Sequence, residues 1–550
     1  VLFTVRERAD SEADVLPALS RAVGRARNAL REREPEVRGA DQEVSRAVSS
    51  SLLAHQHYLA GVRCVERPSD SVGAGYVDCE RHFRKALDID PDFSLAHFEL
   101  ARLAWWSAAP YDELRPMLDA ALRRVDMLSP REQALVRAWD ASLSPRPERS
   151  IEILEAAVKE SPEDPRLTYA LAEALFRQGR VAESVPHLER AVELDPGFEL
   201  AVDSLVWYLG KLDRVEDLKR VAGQLAASPP STGRLISEAR ALGFSGNLEE
   251  AIRVLRRAAP SGTGLARDHL EAALVEAGEW AEVEPMLRED AAREPDGAGE
   301  RLVRYLLLRG RTREAKAIRD RRPPPPDPRR RFIEGAREVN EFLAPRKDLA
   351  AVRRIAEEVA ATSTENAASL APALAYLGGG DAALTLTAHP SVDPGTRKLV
   401  DALVAWRAAG PGAALGALRE VARGEPYTAE LGPPDAVSWY AAECAFEASR
   451  DEAALADLRR FQRFYYPLGQ WRTWALPRSL VLEARLLQQL GRPAEASVAL
   501  ARLEDMLSGA DADHPLLADA RALRRKLGPG GRSVAAASVP GRPNRGGGAR

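Results

Sequence analysis

Pro162, Pro196 and Pro230 recur every 34 residues, and other side chains recur with them. Ser150 and Ser184, Leu154 and Leu188, and Ala157 and Ala191 stand at fixed distances before the first two prolines. A period of this length marks a chain built from one supersecondary unit repeated, each unit covering the apolar face that its neighbour exposes. From Pro165 to Pro196 the unit reads as a helix carrying Leu171, Ala172 and Leu175, a turn at Gly179, and a second helix carrying Ser184, Leu188 and Ala191. Both halves place apolar residues at i, i+3, i+4 spacing, the pattern of a helix buried on one side.

A second signature runs farther. Gly179, Gly246, Gly278, Gly310 and Gly491 are each followed at +4 by Glu (183, 250, 282, 314, 495) and at +5 by Ser184, Ala251, Val283, Ala315 and Ala496. Glycine suits the left-handed conformation that closes a first helix. The glutamate then falls in the opening turn of the second helix, where the helix dipole favours an anion. The residue after it is small in four of the five cases, which lets neighbouring helices approach. Ala, Leu, Arg and Glu dominate the chain, whereas the β-branched and aromatic residues that sheets need are sparse, so the fold class is all-α.

These positions resemble the tetratricopeptide consensus, with small residues where two helices cross, large apolar ones between them, and proline closing the unit. Cys79, Phe83, Ala86 and Pro91 occupy the same slots earlier in the chain. The resemblance implies a tetratricopeptide-type helical-hairpin solenoid, here two arrays joined by a proline-rich linker. The expected organisation is the end of an upstream α/β domain at 1–35, with a strand at Val1–Val5 and an amphipathic helix at Asp14–Glu32. A repeat array follows at 47–320, then a Pro/Arg-rich spacer at 321–331, a degenerate helical array at 332–527 and a disordered tail at 528–550.

The charge pattern offers no nucleic-acid or anionic-membrane surface: 78 basic residues face 82 acidic ones, the net charge is −4, and the signs are interleaved. No run approaches the ~20 apolar residues of a membrane helix, and no signal peptide is visible. Cys64, Cys79 and Cys444 are too few and too scattered for a disulfide framework or a four-ligand zinc site, and read as buried or idle thiols. His55 and His57 diverge on a helix, where a zinc pair needs i, i+3 or i+4, so no metal is expected. Gly73-Ala-Gly75 and Gly378-Gly-Gly380 lack the residues that complete a phosphate loop and read as turns. No kinase catalytic loop and no Gly-x-Ser-x-Gly elbow occurs, acid pairs such as Glu249-Glu250 and Glu357-Glu358 read as solvated faces, and no cofactor is implied. The chain reads as a non-enzyme.

Recognition of a protein or peptide partner remains. In tetratricopeptide arrays the first helix of each hairpin lines the groove, and the consensus register places Trp139, Glu173 and Trp207 at equivalent groove-facing slots, with Tyr169, Arg177 and Lys211 beside them. Exposed Trp and Arg are favoured binding anchors; the competing reading packs these tryptophans between irregular repeats. The Lys and Asn pattern with which some family members clamp a peptide's terminal carboxylate is not reproduced. Phe461, Phe464, Tyr465, Tyr466, Trp471 and Trp474 form a second aromatic run, read as a plug before the last hairpin.

Both ends carry a more particular resemblance. Ser49-Ser-Ser-Leu-Leu-Ala-His-Gln-His-Tyr58 and the closing segments Trp474-Ala-Leu-Pro-Arg-Ser, Gly491-Arg-Pro-Ala-Glu-Ala and Ala510-Asp-Ala-Asp-His-Pro515 resemble the repeat extensions of bacterial eukaryotic-like Ser/Thr kinases and related signalling regulators. The resemblance implies a scaffold or sensor module in bacterial signalling. Its alternatives are the C-terminal part of a Ser/Thr kinase whose catalytic domain lies upstream, or the repeat part of a transcriptional regulator. The expected location is cytoplasmic, or the extracytoplasmic side of a membrane-anchored signalling protein.

Overall fold

The computed structural model describes residues 51–66, 77–106, 111–144, 146–259, 264–293, 297–321, 348–361, 367–388, 394–424, 435–463 and 472–527, with a few isolated positions besides. Every regular element among them is a helix. The expectations for Val1–Val5, the Asp14–Glu32 helix, Gly73–Gly75, the Pro/Arg-rich spacer beyond residue 321 and the tail after residue 527 fall wholly or largely outside these residues. The chain divides into two units, one of residues 1–209, 230–237 and 261–265, the other of residues 210–229, 238–260 and 266–550.

In the first unit the helices are α1 (Leu52–Glu66), α2 (Val77–Ile89), α3 (Ser94–Trp106), α4 (Tyr111–Leu122), α5 (Pro130–Ser142), α6 (Glu148–Glu160), α7 (Pro165–Arg177) and α8 (Val181–Leu194), consecutive members packing as antiparallel hairpins. Local chemistry sets their starts. Ser129 and Glu132 form a reciprocal capping box on α5, and Asp164 accepts from the amides of Arg166 and Leu167 at the head of α7, where Pro165 needs no donor. The repeat register holds: Leu154, Leu171, Leu175 and Leu188 are buried to 3% exposure or less, and Ser150, Ser184 and Ala191 are fully buried at the crossings. Phe83 and Ala86 fill the equivalent places on α2.

The glycine turn also behaves as its chemistry requires. Gly179, Gly246, Gly278, Gly310 and Gly491 all have φ between 70° and 88°. At each one the following residue's amide reaches back to the helix, as in Arg180 N to Leu175 O at 3.0 Å and Arg311 N to Leu306 O at 2.8 Å. The small residues five positions on, from Ser184 to Ala496, are fully buried. Asp213 and Ser449 occupy the same left-handed turn without being glycine, with φ of 55° and 54°. Asp is among the residues that enter this region most readily, which is why the glycine pattern skipped the repeat at Asp213.

One sequence expectation is overturned. Cys64 and Cys79 are not idle thiols but a disulfide, their Cα atoms 5.4 Å apart, while Cys444 is free and buried. The 15-residue separation looked like scatter in sequence, yet it is the distance that brings the end of one helix opposite the start of its antiparallel partner, here α1 and α2.

In the second unit the hairpin of Gly297–Leu308 and Thr312–Asp320 packs against the last hairpins of the chain. Asp511 N donates to Gly310 O (3.0 Å), Arg309 Nη2 donates to Ser508 O (3.0 Å), and Arg313 pairs with Asp513 (2.7 Å). Trp280 Nε1 donates to Asp505 at 2.9 Å while its ring lies 4.3 Å under the Arg309 guanidinium. Of the second aromatic run, Phe461 is fully buried against Trp439; the side chains of the other five members lie outside the described residues.

Candidate functional site: a charged cavity on the first helices

The inner faces of α1, α3, α5 and α7 enclose a cavity of about 410 Å³ within the first unit, inside the range of roughly 300–1,000 Å³ typical of ligand pockets. Trp139, Tyr169, Glu173 and Arg177 all line it. Trp207 is half-buried and outside the lining, and Lys211 belongs to the other unit, so neither joins this group. The groove slot therefore converges for Trp139 and Glu173, and the third member of the series departs from it.

Aromatic packing holds the walls. Tyr169 meets Phe198 edge-on with centroids 5.1 Å apart, and Trp139 meets Trp105 in a T-shape at 5.4 Å. Over the Trp139 ring lies the Arg177 guanidinium, 4.4 Å from the centroid and 5.8 Å from that of Trp105. Such stacking is worth ~0.5–2 kcal/mol, more as the cation is desolvated, but it satisfies none of the guanidinium's five N–H groups.

Four glutamates (66, 99, 132, 173) and four arginines (102, 131, 166, 177) line the cavity. Six of these eight are hydrogen-bonded. Arg102 Nη1 donates to both Glu99 oxygens at 3.1 and 2.8 Å, Arg166 pairs with Glu66 at 2.5 Å, Arg131 pairs with Asp164 at 2.5 Å, and Glu132 accepts from the Ser129 amide and hydroxyl. Glu173 and Arg177 are different. Glu173 Oε2 is 4.0 Å from Arg102 Nη2 and 3.9 Å from Arg177 Nη1, beyond hydrogen-bonding reach, although both side chains are only about 15% exposed. Arg177 Nε, Trp139 Nε1 and His55 Nδ1 are buried with no partner among the described residues. Trp139 as a whole is 6% exposed.

Burial acts on these charges as expected. It pulls the Arg177 guanidinium below its ordinary value against the pull of Glu173, and it pushes the Glu99 carboxyl up against the stabilising Arg102. Burial would lower Arg102 too, but Glu99 and Glu173 outweigh it and hold its proton more tightly. Burial also lowers His55, leaving a neutral ring stacked on Phe93 at 5.5 Å. The arrangement can hold a ligand by hydrogen bonds and ion pairing; among the described residues no group of His, Cys, Asp or Glu is placed to bind a metal.

Several contributors were not picked out in the sequence. Arg102 stands eight residues after Ser94, as Glu173 does after Pro165 and Trp207 after Glu199. It is the same slot two repeats before Glu173, hidden because the link between α4 and α5, with its short 3-10 turn at Val125–Met127, breaks the 34-residue period. His55, Tyr58 and Glu66 come from α1, which precedes the region of firm register.

Residues 135–197, which include α6, α7 and α8, match the family model described as a tetratricopeptide repeat. No curated protein matches the chain significantly in sequence. Among solved structures, the APC/C hetero-tetramer Cut9–Hcn1 is similar at 12% identity and a TM-score of 0.33, over 94% of both chains. Naa15/Naa10 bound to HypK-THB gives 14% and 0.24 over 88% of this chain and 79% of that one. The human IFIT1 dimer with PPP-AAAA gives 12% and 0.25 over 89% and 93%. The described residues form helical hairpins of the tetratricopeptide type, and the repeats that match the family model carry Trp139, Tyr169, Glu173 and Arg177 on the cavity wall.

Proposed function

We propose that this protein is a protein-interaction scaffold that holds a segment of a partner in the cavity of its first unit, without catalysis of its own. The observation that carries this reading is the pair of Glu173 and Arg177 on the cavity wall, both about 15% exposed and 3.9 Å apart, too far for a hydrogen bond between them. A buried donor or acceptor left unsatisfied costs about 1–3 kcal/mol, more when charged, and a ligand partner recovers it. Selection of random-sequence peptides on the immobilised protein tests the reading. Wild type should enrich a defined set, and Glu173→Gln and Arg177→Met should each weaken its binding by about tenfold or more, the weight of an anchor residue, while keeping a wild-type melt. Unchanged binding in both variants would refute the site.

The finer placement rests on the chain's ends: the Ser49–Tyr58 entry and the closing Trp474–Ser479 segment support a module of bacterial signalling, as the extension of a Ser/Thr kinase or of a transcriptional regulator. The sequence preceding Val1 decides between these, since a kinase domain there supports the first and a DNA-binding domain the second. The Cys64–Cys79 disulfide favours the extracytoplasmic location, because disulfides persist in oxidising compartments. Thiol trapping in cells should find Cys64 and Cys79 unlabelled, and their labelling as free thiols would return the chain to the cytoplasm. No helix among the described residues is long and apolar enough to cross a membrane.

A further inference from the structure

We propose that the cavity takes from its partner protein a neighbouring pair of opposite charges, one acidic and one basic side chain, rather than an acidic or a basic stretch. The proposal rests on the reading of the cavity as a partner-binding site and adds which segment it selects. Four positive and four negative side chains line the cavity, and six of them already have hydrogen-bonded partners. A ligand with net charge would give up its hydration on entering this compensated, half-apolar space and meet no net opposite charge in return. An uncharged apolar segment would leave Arg177 and Glu173 largely buried without a hydrogen bond between them.

A segment carrying both signs satisfies both ends of the one pair left over. Its carboxylate pairs with the Arg177 guanidinium, and its ammonium or guanidinium donates to Glu173. The loose 3.9 Å contact between Glu173 and Arg177 is replaced by two charge-assisted hydrogen-bonded pairs. The aromatic walls, Tyr58, Phe98, Tyr169 and Phe198, cover the aliphatic stems of the two side chains.

Three peptide pools of matched hydropathy test this on the full chain: one with acidic and basic residues in equal number, one with acidic residues only, one with basic residues only. Wild type should retain the balanced pool at least about tenfold better than either other pool, the effect of one satisfied charge pair. Glu173→Gln should move the preference to the acidic pool, and Arg177→Met should move it to the basic pool. A reversal of preference is an outcome that misfolding cannot imitate. Preference of the wild type for a single-sign pool, equal retention of all three, or loss of binding in both variants without reversal would overturn the charge-pair proposal and leave the cavity as a binding site. Retention of no pool by the wild type would overturn the binding site itself.

Discussion

At the scale of single residues, two glycines separate backbone strain from close approach. Gly246 and Gly310 have φ of 88° and 71°, but a Cβ at Gly246 meets nothing within 4 Å, whereas at Gly310 it would stand 2.8 Å from Ala510 Cβ. Gly246→Ala should therefore cost about 1–2 kcal/mol, the left-handed penalty alone, and Gly310→Ala distinctly more, as read by denaturant midpoints. Equal losses would mean that the contact of Gly310 with the last hairpins relaxes freely. Leu171 and Leu188, exposed by 2% and 0%, should each cost about 2–5 kcal/mol on truncation to Ala, and a wild-type-like melt for both would contradict the register. The sequence made these positions legible because each recurs at a fixed spacing. Arg102 and Glu99 were not legible, since spacing fails between α4 and α5 and a charged residue on a helix otherwise reads as solvated.

At the scale of elements, the disulfide and one buried carboxyl make separate predictions. Cys64–Cys79 closes a 15-residue loop joining α1, a wall of the cavity, to α2. Its reduction, or the double change to Ser, should lower stability by about 3 kcal/mol, and an unchanged midpoint under reductant would show the bond to be without effect. Glu271, on the helix Gly264–Ala277, is 1% exposed. Burial pushes its carboxyl up to about 8, helped by a hydrogen bond with Asp290 and opposed by Arg301 at 3.1 Å. Asp290 moves the other way, since the proton shared with Glu271 and the neighbouring Arg267 outweigh its own burial. A carboxyl raised in the folded state contributes stability that is full below its ordinary value near 4.5 and is lost as pH rises through about 8. His269 beside it is lowered well below 6.5 by burial and by Arg240, so its contribution is lost instead as pH falls below 6.5. Melting temperature should thus decline from about pH 6.5 to about pH 8, and Glu271→Gln should flatten that decline. A slope unchanged in the variant would assign it to another group. Neither feature was readable beforehand: cysteine count says nothing of which helices are antiparallel neighbours, and a glutamate's burial follows only from how successive hairpins pack.

At the scale of the whole molecule, turn chemistry carried the fold and repeat spacing carried the site only in part. Five Gly-x-x-x-Glu turns were legible because left-handed φ leaves few residue choices, and helical hairpins follow from them wherever they occur. The packing of residues 505–513 onto the hairpin around Gly310 was not legible, because contacts between parts of the chain some 200 residues apart leave no local pattern. Of the six groove residues expected from the consensus register, the four on α5 and α7 meet at one cavity, while Trp207 and Lys211, on the helix Glu199–Lys211, do not. The cavity belongs to the first unit, and the second unit is tied internally by pairs such as Tyr376 to Glu443 and Trp406 to Glu447. The most direct test is amide hydrogen exchange of the full chain with and without a peptide selected on it. Slowed exchange in α3, α5 and α7, abolished by Arg177→Met, is the expected result. Protection confined to the helices between residues 371 and 527, with the cavity helices unchanged, would contradict the assignment of partner binding to the Trp139–Arg177 cavity.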